Sequence, residues 1–253
     1  MLLILSPAKT QDFSKSGTGF QTEPLFKTKT ATLVEHLQKS SPEELAHLLK
    51  ISPKLALLNF DRYQYFDPQH YTQKNSKASI MAYQGDVYQG LDAASLNQAD
   101  LDFANQHLLM LSGLYGALRP LDAMQPYRLE MATRLATSDS KDLYSFWQQI
   151  LTDYLNTRLK TEKALINLAS QEYSKAIDRK NLQGNMIDIE FQDWNKDRFK
   201  VIGILAKRAR GMMARFIIQN RLNQLDQLQT FNTAGYTFQE SLSSKHKYVF
   251  QRE

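Results

Sequence analysis

Cysteine is absent from all 253 residues. The chain therefore makes no disulfide, holds no thiolate zinc site or cysteine-ligated iron–sulfur cluster, and carries no peroxide-reducing thiol. Glycine and proline are sparse, at 10 and 7 residues, and neither gathers into a linker. With no internal repeat or low-complexity block either, one domain over residues 1–253 is expected. No apolar run approaches the roughly 18 residues that cross a bilayer. MLLIL, followed at once by SPAKTQDF, is too short for a secretory segment. The expectation is a cytoplasmic protein without a membrane partner.

The familiar catalytic signatures are also missing: GxxxxGK[ST], GxGxxG, GxSxG and HExxH do not occur. The histidines His36, His47, His70, His107 and His246 are scattered without metal-ligand spacing, so neither a metal nor a cofactor is expected. Chelation of iron by Asp, Glu and His brought together in space is a further hypothesis that spacing alone does not address.

Hydrophobic residues make up 42% of the chain, enough for a substantial core, and the net charge is +5. Such an excess makes an anionic partner possible and says nothing of the fold. LLIL at 2 to 5, LLML at 108 to 111 and ALINLA at 164 to 169 read as buried strands that exit into small or polar residues. MIDIEFQDW, from 186, alternates Ile187, Ile189 and Phe191 with Asp188, Glu190 and Gln192, the period of a strand with one wet face. WNKD then reads as a turn into FKVIGILA, which predicts an antiparallel hairpin. Helical patterns without a sustained βαβ rhythm surround these strands, and the expected class is α+β.

Ser41, Pro42 and Glu44 spell a capped helix start, and Ser52 with Pro53 repeats the cap-and-proline opening. Two short helices joined by a tight turn follow. Between Phe199 and Leu225 the chain holds Lys200, Lys207, Arg208, Arg210, Arg215 and Arg221 and no acidic residue. At about 100° per residue, Ala209, Met212, Met213, Phe216 and Ile217 share one face and the cations the other. A surface helix needs no more than that, but cations of one sign without acids repel one another unless an anion or acidic partner is near.

LSGLYGALRPLDAMQPYRLEM, from 111, follows a buried strand with Ser112, Gly113 and Gly116. Arg119 and Arg128 could clamp a phosphate or carboxylate there, or could pair internally with Asp122 and Glu130. Both readings stand. A candidate ligand cleft gathers polar residues from strand exits and loops: Ser6, Lys9, Asp86, Tyr88, Ser112, Tyr115, Arg119, Tyr127, Arg128, Asn167, Ser170 and Glu172. An enzyme or a protein binding a small anionic ligand is the function class this cleft suggests.

MLLILSPAKTQDF, YQGDVYQGL at 83 to 91, HLLMLSGLYGALRPLDAMQPYRLEM at 107 to 131, KDLYSFW at 141, INLASQEY at 166 and AKRARGMMARFIIQNRL at 206 resemble the bacterial peroxide stress resistance protein YaaA family. The resemblance implies a cytoplasmic protein of the response to hydrogen peroxide that keeps unincorporated iron low and limits oxidative damage. It implies a single compact α+β domain of unusual topology, with a mixed sheet, surrounding helices, a helix-hairpin-helix-like element and a basic cleft for double-stranded DNA. Carried onto this chain, DNA contacts fall on Lys50, Ser52 and Lys54 at the hairpin and on Lys207, Arg208, Arg210 and Arg215; the hairpin lacks the glycines usual in such turns. No established reaction comes with the family. A monomer is expected.

Overall fold

Leu2–Leu5, the strand β1, is buried along its whole length, as a strand must be when it is flanked on both edges and covered on both faces. In this computed structural model, which describes residues 1–14 and 19–253, β1 lies at the centre of an eight-stranded mixed sheet. Its neighbours are Leu108–Ser112 (β2) and Ala164–Leu168 (β4), both parallel to it, with Leu3 beside Leu108 and Leu165 beside Leu2. Gly116–Leu118 (β3) turns back antiparallel on β2. On the other side β4 is joined in parallel by Asn185–Trp194 (β5). Phe199–Lys200 (β6) pairs antiparallel with one end of β5. The C-terminal Lys247–Arg252 (β8) runs parallel to β5, and Thr237–Phe238 (β7) closes the edge antiparallel to β8. Five parallel strands thus sit inside antiparallel borders, and helices surround them in a single compact α+β domain.

The strands expected at the three apolar runs are present, and β5 alternates buried and half-buried residues from Ile187 to Gln192. The expected hairpin is much shorter than FKVIGILA. Only Phe199 and Lys200 pair with Trp194 and Asp193, and the chain then enters the helix Gly203–Gln219. The 3.6-residue spacing of Ala206, Ala209, Met213 and Ile217, all buried, overrides any extended tendency of the run before it.

Seven helices matter for the site: α1 (Lys27–Gln38), α2 (Pro42–Leu49), α3 (Pro53–Gln64), α4 (Asp86–Leu91), α5 (Gln98–His107), α6 (Leu143–Leu159) and α7 (Gly203–Gln219). The start of α2 is the expected capping box: Ser41 Oγ accepts from the Glu44 amide and Glu44 accepts from the Ser41 amide. Lys50 ends α2 in the left-handed region, at φ 52°. Pro53 then opens α3, although the Ser52 hydroxyl makes no capping bond. On α6, Trp147 donates its indole N–H to the Gly113 carbonyl at 2.8 Å, and a Cβ at Gly116 would stand 2.6 Å from its ring. Gly116 thus admits the tryptophan ring, while Gly113 lets the chain pass the Leu129 carbonyl, from which a Cβ would stand 2.4 Å.

Candidate functional site

From β1 the chain proceeds to β2 on one side, whereas β4 leads on to β5 on the other. The two segments leaving the carboxyl ends of β1 and β4 therefore diverge, and a crevice opens between them, the place where open parallel sheets collect ligands. The crevice has a volume of about 310 Å³. Ser6 to Thr10 form one wall, Ser170, Glu172 and Tyr173 another, and Asp86, Tyr88, Lys207 and Arg210 complete it.

Ser6 and Ser170 stitch the two exits together: the Ser170 amide donates to Ser6 Oγ at 2.8 Å, and Ser6 Oγ donates to Ser170 Oγ at 3.2 Å. Tyr88 donates its hydroxyl to the Ser6 carbonyl at 3.0 Å. Burial pushes that phenol well above its usual value, so it stays neutral and acts as a donor.

Two further hollows adjoin the crevice and share lining residues with it. A small one holds Lys9, Gln11, Arg128, Glu130 and Tyr173. Here Glu130 Oε1 receives Lys9 Nζ and Arg128 Nη2, both at 3.1 Å. A larger one, about 710 Å³, shares Arg210 and runs past Asn167, Lys175, Arg179, Asp188, Glu190 and Lys247. Asp188 accepts from Asn167 at 2.6 Å and from both terminal nitrogens of Arg179 at 2.9 and 2.6 Å. Burial alone would raise the Asp188 carboxyl, but Arg179 and Asn167 outweigh it and hold it below the ordinary range. Glu190 is lowered in the same way, burial being outweighed by Lys247 at 2.8 Å and by Gln192.

Of the residues expected in the cleft, Ser6, Lys9, Asp86, Tyr88, Ser170 and Glu172 do meet in the crevice. Arg128 lies next door, and Asn167 lines the larger hollow. Ser112, Tyr115 and Tyr127 are instead in the core. The Tyr127 hydroxyl sits 2.7 Å from both Ser112 Oγ and the Tyr83 hydroxyl; Tyr115 receives the Gln125 amide at 2.9 Å. Their polar atoms are satisfied internally, and burial pushes the Tyr127 phenol up to about 12. Arg119 belongs to the scaffold: its Nε and Nη2 reach Asp122 Oδ1 at 3.0 and 2.7 Å, and its amide reaches Oδ2 at 2.8 Å.

The cations expected on DNA fall into two groups. Lys50, Ser52 and Lys54 are exposed at the α2–α3 turn, and Lys207 and Arg208 are exposed on α7. Arg210 is half-buried and lines both the crevice and the larger hollow. Arg215, by contrast, donates to the carbonyls of Leu91 and Asp92 at 3.1 and 2.8 Å and lies 3.6 Å from the Asp92 carboxylate. Arg221 pairs with Asp100 at 2.6 Å. The acids missing from this segment thus arrive from the C-cap of α4 and from α5, far away in sequence.

Tyr173, Arg179 and Lys247 escaped sequence reasoning; Asp188 and Glu190, on the wet face of β5, were visible as a pattern but not as a site. Among the described residues no group of three His, Asp or Glu side chains is placed to hold a metal ion. Among them, too, no helix is long and apolar enough to cross a membrane.

Residues 1–242 match the family model described as peroxide stress protein YaaA. A UPF0246 protein of Albidiferax ferrireducens is 48% identical over 256 residues, covering 100% of this chain and 98% of that protein. UPF0246 proteins of Bordetella petrii and Acaryochloris marina are each 47% identical, with both chains covered at 100%. The chain belongs to the peroxide stress protein YaaA family.

Proposed function

We propose that the protein binds double-stranded DNA along a cationic track and in this way limits iron-dependent damage during the cytoplasmic response to hydrogen peroxide. One observation carries the reading: successive hollows share their basic lining residues. Arg210 faces the larger hollow and the crevice, Lys207 and Lys9 line the crevice, and Lys9 and Arg128 line the small hollow. Arg128 in turn stands close enough to Arg62 on α3 to depress its guanidinium, an effect secondary to burial. The track therefore leads toward the helix that starts at the Lys50–Lys54 turn. Phosphates at regular spacing are the natural complement of such a line, because each neutralising contact releases counterions.

The test is the salt dependence of duplex binding, followed by fluorescence anisotropy on two unrelated sequences. Affinity should fall steeply between about 50 and 200 mM salt and should differ little between the sequences. Absence of binding at about 50 mM salt, where phosphate contacts are strongest, overturns the proposal.

A further inference from the structure

Among the described residues, the side chains of Arg210, Lys207 and Asp86 make no hydrogen bond or ion pair, although all three line the one crevice. For Arg210 that is unusual, because it is half-buried, whereas Arg134, Arg198 and Arg208, likewise without a carboxylate, are exposed. Arg119, Arg128, Arg179, Arg215, Arg221 and Arg252 each find a carboxylate. Arg210 is the costly exception, since its guanidinium loses water without gaining a partner. The opposing charge that acts on it is Glu190, which Lys247 already holds at 2.8 Å. Lys9 and Glu172 in the same cavity are engaged by Glu130 and the Ala132 amide, so Arg210, Lys207 and Asp86 are the donors and the acceptor that remain available to a third party.

We propose that the crevice between the carboxyl ends of β1 and β4 binds a small hydroxylated phosphate monoester, with its phosphate on Arg210 and Lys207 and a sugar hydroxyl donating to Asp86. The cavity volume, about 310 Å³, is at the small end of ligand sites, which run from about 300 to 1,000 Å³. It admits a nucleoside monophosphate or a sugar phosphate, whereas a duplex is too wide to enter and meets only the rim. A guanidinium suits a phosphate because its fork donates to two oxygens at once. A carboxylate lining the same cavity disfavours a ligand that is anionic throughout and selects one with donors to offer. The site goes beyond DNA binding: Arg208, exposed on α7 and outside the crevice lining, serves only the latter.

Calorimetric titration of the full chain with ribose 5-phosphate, adenosine monophosphate, adenosine and inorganic phosphate tests this. The two phosphate esters should bind about tenfold more tightly than adenosine or inorganic phosphate, the margin of one charge-assisted hydrogen bond. Arg210→Ala should weaken both esters by about tenfold or more, and Arg210→Lys should restore part of the loss. Asp86→Asn should weaken the esters and leave inorganic phosphate unchanged. Unfolding temperatures of the variants show that each is folded. The proposal is overturned if the esters give no heat at about 10 mM, a concentration that detects even millimolar binding. It is equally overturned if they bind no better than inorganic phosphate, or bind Arg210→Ala as they bind the wild type. Arg208→Ala separates the two readings: it should weaken duplex DNA and leave ribose 5-phosphate untouched. Binding of DNA alone, with no ester bound, would sink the crevice proposal and spare the DNA one.

Discussion

Gly90 on α4 and Gly211 on α7 let two helices meet backbone to backbone. A Cβ on Gly211 would stand 1.9 Å from the Val87 carbonyl oxygen, and a Cβ on Gly90 would stand 2.1 Å from that of Arg208. No side chain can yield there, because both obstructing atoms are main chain. The contact sets the height of α7 above the sheet, and with it the position of Lys207 and Arg210 at the rim of the crevice.

Gly211→Ala should therefore cost more than a helix interior normally allows. Alanine favours helix over glycine, but overpacking of this kind costs about 1–3 kcal/mol and moves backbone. Urea unfolding of Gly211→Ala should show a lowered midpoint; an unchanged or raised midpoint would mean that α4 and α7 separate freely.

The two arginines of the 111–131 stretch should behave differently. Asp122 is fully buried and held by Arg119 and by Thr22 Oγ1 at 2.6 Å. Arg119→Ala strands that carboxylate and should cost about 3–5 kcal/mol. Arg128→Ala leaves Lys9 on Glu130, and loss of such a partly solvated pair should cost about 1 kcal/mol. Parallel denaturation curves compare them, and equal losses would contradict the assignment of Arg119 to the scaffold.

On DNA, the contrast lies within α7. Arg208→Ala should reduce the steepness of log affinity against log salt by about 0.9, the contribution of one phosphate contact. Arg215→Ala should leave the slope unchanged, since its guanidinium is spent on Leu91 and Asp92. Anisotropy titrations at several salt concentrations decide, and a slope altered by Arg215→Ala would place that residue on the nucleic acid.

Acid should weaken the fold through β5. The folded values of Asp188 and Glu190 lie below their ordinary 3.8 and 4.5, so the unfolded chain takes up protons first as pH falls. Their stabilisation is complete above those ordinary values and drains away as pH drops through the folded ones. Asp188→Asn should flatten the acid limb of stability against pH between about pH 5 and pH 3, measured by urea midpoints. An unchanged limb would show that the Arg179 pair does not persist in solution.

Local structure was legible in the sequence wherever a short-range rule dictated it. Leu2–Leu5, Leu108–Ser112 and Ala164–Leu168 are buried throughout and mostly apolar, because both faces of each are covered. Ser41 and Glu44 announce their capping box three residues apart. What escaped depends on residues distant in the chain. Arg215 and Arg221 looked unpaired because Asp92 and Asp100 lie more than a hundred residues earlier. Ser112 and Tyr127 looked like site residues because a polar pair satisfied inside the core has the same composition as one facing a ligand. The crevice itself follows from strand order, which no local pattern encodes.

The central place of β1 also has a consequence in time. Its neighbours begin at Leu108 and Ala164, so β1 leaves the ribosome long before the strands that flank it. At about 5–20 residues per second, the second neighbour follows roughly 8–30 s later. Through that interval four consecutive apolar residues and at least one unpaired edge stay open to other chains. A nascent chain stalled short of residue 164 should depend heavily on chaperones, whereas one past residue 168 already owns the middle of its sheet.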